Sequence, residues 1–144
     1  MINSTASLCL LRTIMYPEHG KNIISVEGDI IISKIIGAFN AEGIDKSIAD
    51  LKVAIDSFCQ NEFKLLVNYI DTEGGTPEVY EKINEFNIWL KSKNMVAKAL
   101  VSNSNVVLSI RESRTPKGMS LNERVFDDEV NAIIWLKSQT LQAI

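Results

Sequence analysis

The chain has 144 residues, 46% of them hydrophobic and 23% charged, which fits one globular domain over 1–144 and excludes disorder, a collagen-like repeat and a disulfide scaffold. Eighteen acidic residues outweigh 15 basic ones, the formal net charge is −3, and no basic block of five or more occurs, so no nucleic-acid partner is expected. Apolar runs such as 8–11 and 30–32 fall far short of the roughly 18 residues that span a bilayer, and no leader pattern opens the chain, so a cytoplasmic protein without an integral membrane segment is expected.

Residues 1–6 are polar and are expected to fray, and 7–14 read as a first strand. Pro17, His19 and Gly20 then break the chain. Residues 23–26 and 30–36 are rich in β-branched side chains, with Glu27, Gly28 and Asp29 between them, which predicts a hairpin. Residues 37–40 end its second strand. Beyond them Ile44, Ile48, Leu51, Ile55 and Phe58 recur at spacings of four and three, the face of an amphipathic helix, with Asp45, Lys46, Asp50, Lys52 and Asp56 turned outward. Residues 63–70 form the strongest strand, and the run Leu65, Leu66, Val67 predicts cover on both faces.

The stretch from Asp71 to Thr76 reads as a turn. Thr76 is placed as an N-cap and Pro77 at the first helical position, where its missing N–H costs nothing. Val79, Ile83, Phe86 and Leu90 form the inward stripe of this second helix, flanked by Tyr80 and Trp89. A strand over 95–101 follows, then a short helix capped by Ser104 and a polar loop over 111–122. Val125 and Phe126 predict a last short strand. Asp127 is read as the cap of a final helix with Val130, Ile133, Ile134 and Leu141 inward. Strands alternating with helices predict an α/β fold, a mixed central sheet flanked by helices.

Local spacing assembles no catalytic constellation, so an enzyme is the least favoured class. His19, the single histidine, has no neighbouring partner for acid–base or metal work. Cys9 and Cys59 are 50 positions apart and read as small buried hydrophobes rather than a redox pair. Glu73, Gly74, Gly75 and Thr76 lack the lysine of a phosphate loop, GxGxxG is absent, and no cofactor or metal is expected. The favoured site is nevertheless this segment, with Asp71, Thr72, Gly74, Gly75 and Thr76 as candidate contacts. It stands between the carboxyl end of the strongest strand and the amino end of a helix, where open α/β sheets place ligands. Tyr80, Trp89 and Trp135 are candidate walls of an apolar pocket or a partner surface. Both tryptophan-bearing helices carry more apolar residues than one stripe needs, which leaves room for a homodimer contact.

The layout resembles the SpoIIAA-like branch of the STAS superfamily, the fold of anti-sigma-factor antagonists, related in shape to SEC14-type lipid-binding domains. The resemblance rests on residues 37–40 after the hairpin, the strand 65–71, Trp89 and Leu90, the strand 97–101, and Val125 to Asp127 leading into 132–136. It implies a non-enzymatic regulatory or binding module with a protein partner or, through the SEC14 likeness, a carrier of a small apolar or lipid-like ligand. Antagonists of this kind carry a phosphorylatable serine in an Asp-Ser-Ser/Thr-Gly motif at the start of the second helix. Here that motif is replaced by Asp71-Thr-Glu-Gly-Gly-Thr76, in which Thr76 is nearest by position and Thr72 second.

Overall fold

Gly28 and Asp29 turn the chain between two antiparallel strands, β1 (Lys21–Glu27) and β2 (Ile30–Phe39), with Glu27 facing Ile30 and Val26 facing Ile31. The computed structural model describes residues 19–103 and 122–140. The expected strand over 7–14, the Ser104 helix, most of the 111–122 loop, Cys9 and Leu141 lie outside the described residues. The hairpin stands where the β-branched runs predict it.

After β2 the order is α1 (Ala41–Asp56), β3 (Phe63–Asn68), β4 (Thr72–Gly75), α2 (Pro77–Leu90), β5 (Met95–Val101), β6 (Glu123–Phe126) and α3 (Glu129–Lys137). The described strands form one six-stranded sheet in the order β1-β2-β3-β5-β6, with β4 also on β2. Every pairing except the hairpin is parallel. All six residues of β3 are buried, as expected of a central strand covered on both faces.

Strand β2 has two partners in succession. Ile30 to Lys34 pair with β3, and Gly37 to Phe39 pair with β4. The register shifts between Gly37 and Ala38, and Gly37 takes a φ of 84°, a left-handed conformation that favours glycine. The segment expected to be a turn thus contains a strand. Two glycines in four residues hide β4 from propensity, but an open stretch of β2 backbone beside it supplies hydrogen bonds.

The period-two alternation of the strands divides the core. Ile31, Ile35, Leu65, Val67 and Leu100 point toward α1 and α2, packing on Ile44, Leu51, Ile55, Val79, Phe86 and Leu90. Ile30, Leu66, Ala97, Ala99 and Val101 point the other way, onto Ala132 and Leu136 of α3. Helices α1 and α2 run side by side in a fixed register. Asp45 bridges Lys82 at 3.1 Å, Lys52 lies 4.9 Å over the Trp89 ring, and Asp56 bridges Lys93 at 3.7 Å. The α1 N-cap is Asn40, whose Oδ1 accepts from the backbone N–H groups of Gly43 (2.8 Å) and His19 (3.0 Å). Gly43 must be glycine for space: a Cβ there would stand 1.8 Å from the His19 carbonyl oxygen.

Three expectations are corrected. The α3 cap is Asp128, one residue after Asp127; its side chain accepts from the Asn131 N–H. Of the residues read as inward on α3, Val130 and Ile134 are exposed and Ile133 is half-buried, while Ala132 and Leu136 are buried. Helix α3 is apolar nearly all round, so its sequence selects no face, and the close approach to small side chains of β5 selects Ala132. Cys59 is exposed with a φ of 52°. It stands in the turn after α1, where Ile55 and Phe58 already occupy the inward positions.

Candidate functional site

The carboxyl ends of β2, β3 and β5 meet at one edge of the sheet. Asn68, the last residue of β3, is buried and tied on both sides. Its Nδ2 donates to Glu129 Oε2 at 2.7 Å, and its Oδ1 accepts from the Ile70 N–H at 2.9 Å. The Tyr69 N–H donates to the Val101 carbonyl at 2.7 Å, and the Gly37 N–H to the Asp71 carbonyl at 2.9 Å. The chain leaving the central strand is therefore anchored to both neighbouring strands and to α3 before it reaches the candidate loop. Asn68 and Glu129 escaped sequence reasoning, because 61 positions separate them and neither belongs to a motif.

The two threonines of the loop differ. Thr72 is half-buried; its Oγ1 donates to the Gly37 carbonyl (3.3 Å) and accepts from the Gly74 N–H (3.2 Å), stitching β4 to β2. Thr76 is exposed at the N-cap of α2, with extended backbone, and its side chain makes no cap hydrogen bond. Its carbonyl accepts from the Val79 N–H at 2.9 Å, so the backbone holds the turn while the hydroxyl faces outward. Gly74 and Gly75 are half-buried. A Cβ on Gly75 would stand 2.9 Å from Val79 Cγ1, so the glycine lets β4 lie directly against the first turn of α2. Asp71 is exposed and lies 3.6 Å from Lys34 Nζ.

Acidic groups stand at this tip and along α2. Glu73 is exposed, and Glu78, Glu81 and Glu85 recur on the exposed face of α2 at spacings of three and four. Their field reaches Lys82, whose ammonium is held above the usual 10.5, first by its hydrogen bond and attraction to Asp45 and then by Glu78 and Glu85.

Beneath the loop, between the sheet and helices α1 and α2, lies a partly open cavity of about 70 Å³. Its lining is mainly apolar, with Phe39, Leu51, Val79 and Phe86 among the walls and Thr72, Gly74 and Gly75 at one end. Tyr80 lines it. Trp89 stacks on Phe86 at 5.7 Å and sits beneath Lys52 and Lys93, outside the cavity lining. Trp135 is on the opposite side of the sheet, 5.6 Å from the Phe126 ring. The structure thus brings Asp71, Thr72, Gly74, Gly75, Thr76 and Tyr80 into one neighbourhood, and separates Trp89 from Trp135. His19 is exposed beside the start of α1, held by its backbone.

No family model matches the chain. No curated protein matches it either. Solved structures do. An uncharacterised protein of the DUF3478 family with a SpoIIAA-like fold, from Shewanella loihica PV-4, superposes with a TM-score of 0.61 at 15% identity, covering 84% of this chain and 96% of that one. The anti-sigma factor antagonist SpoIIAA in its unphosphorylated form superposes with a TM-score of 0.56 at 10% identity, covering 82% of this chain and 99% of that one. With its helix-flanked mixed sheet and these two neighbours, the chain has a SpoIIAA-like, STAS-type fold.

Proposed function

We propose that the protein is a non-enzymatic cytoplasmic regulatory module that binds a partner protein through residues 71–77 and the exposed face of α2. One observation carries this reading: the tethered exit of β3 leads to an exposed Thr76 between exposed Glu73 and Glu78, with exposed Glu81 and Glu85 farther along α2. A firmly anchored tip with an excess of negative charge suits docking, because fixed charge steers a complementary partner and fixes its orientation. The partner surface that fits is basic. The SpoIIAA neighbour is an anti-sigma factor antagonist, and a protein target agrees with that description. Among the described residues no helix is long and apolar enough to cross a membrane.

Thr76 is the better placed of the two threonines for modification. Its oxygen is accessible and stands at a helix amino end, which favours an anion, whereas the Thr72 hydroxyl is engaged on both sides. Glu73 and Glu78 oppose the added charge. A lipid carrier gains no support from the cavity, whose volume of about 70 Å³ is well under the roughly 300–1,000 Å³ of sites for drug-sized ligands.

The test is retention of a partner from an extract of the protein's own cells, at low and high salt. Wild-type protein retains a specific partner at low salt and releases it at high salt. The double variant Glu81→Lys/Glu85→Lys loses it, while Val53→Lys, on the exposed face of α1, keeps it. Equal retention by all three proteins overturns the proposed surface. After incubation of the extract with ATP, mass spectrometry is expected to find phosphate on Thr76 and none on Thr72; no modified threonine removes the phospho-switch from the reading.

A further inference from the structure

The α3 side of the sheet lies opposite the proposed docking helix and carries a separate signal. Val130 and Ile134 are one helical turn apart on α3, and they are 68% and 60% exposed. On the same side of the sheet, Ile23 of β1 is 51% exposed. Its cross-strand partner is Lys34, which shares a sheet face with Ile30 and Ile32 of the α3-side core, so Ile23 belongs to this same side. Exposed β-branched residues arranged as a patch on a small domain mark a contact surface, whereas scattered ones need no explanation.

The charges of the helix say what fits there. Asp127 precedes the amino end of α3 and is exposed, and Lys137 closes its carboxyl end, exposed and 3.3 Å from Glu27. The apolar pair lies between them. Turned end for end, this arrangement complements itself: Val130 meets Ile134 of the other copy, and each acidic end meets a basic end. Opposed helix dipoles add to the match. A two-fold contact requires such self-complementarity, because one patch serves both subunits.

We propose that this face is a homodimer interface, with α3 packed antiparallel against α3 of a second copy. Helix α2 remains on the far side of the sheet and the docking loop stands at the carboxyl edge, so the dimer is bivalent for a partner bound there.

Sedimentation equilibrium over a range of concentrations tests the proposal on the full chain. Wild type is expected to pass from 16.1 kDa to twice that mass as concentration rises. Ile134→Ala is expected to weaken dimerisation about tenfold or more, as loss of a buried apolar side chain implies, and Val130→Lys/Ile134→Lys to abolish it. Val53→Lys, exposed on α1, is expected to leave the dimer unchanged, and circular dichroism is expected to show every variant folded. A wild type that remains at 16.1 kDa throughout overturns the proposal, as does a dimer indifferent to the Val130/Ile134 pair. Partner retention by loop 71–77 reads out separately, because a monomeric variant still carries that loop.

Discussion

The two helical layers are built on different principles. On one side, α1 and α2 bring clear apolar stripes, opposed charges and a matched register, so Leu51 and Phe86 are buried and Asp45 reaches Lys82. On the other, nine-residue α3 is apolar almost all round, buries Ala132 and Leu136, and leaves Val130 and Ile134 in solvent. The first layer is written into residue spacing. The second is decided by fit, since Ala132 permits the close approach that a larger side chain would prevent.

Truncation tests that contrast most directly. Leu51→Ala on α1 is expected to cost about 2–5 kcal/mol, a transfer loss plus a cavity, whereas Ile134→Ala on α3 is expected to stay within about 0.5 kcal/mol at concentrations where the protein is monomeric. Urea denaturation of both variants measures the difference; equal losses would erase the distinction between the layers.

A smaller effect follows from filling space instead of emptying it. Ala132→Leu is expected to cost about 1–3 kcal/mol by pushing α3 off β5, and Gly43→Ala a similar amount by driving a Cβ into the His19 carbonyl. Thermal melts check both. If Ala132→Leu is neutral, α3 is held by something other than close approach.

The smallest effect is in pH. Asp128 is held below the usual 3.8 by the Asn131 backbone N–H and, more weakly, by the Asn131 side chain, Asp127 and the Val130 N–H. Its contribution to α3 is therefore present above the ordinary aspartate value and lost as pH falls through the lowered one. Lys82 behaves oppositely: its contribution to the α1–α2 pairing is present below 10.5 and lost as pH rises through its raised value. Acid is thus expected to loosen α3, and alkali the α1–α2 layer. Denaturation profiles of Asp128→Asn and Lys82→Gln, each losing its own limb of the pH dependence, check the assignment.

Residue order alone determined the hairpin, the central strand, both amphipathic helices and the α/β class, because each rests on local periodicity: two for strands, 3.6 for helices, and glycine where the chain turns. It also located the junction between the central strand and α2, since Thr76 and Pro77 open a helix there. Tertiary structure alone decided three things. It made Thr72 to Gly75 a strand, by offering free β2 backbone beyond the Gly37 bend. It separated Thr72 from Thr76 by occupying one hydroxyl and exposing the other. It turned Val130 and Ile134 outward, because a helix with no polar face takes its orientation from the surface that receives it.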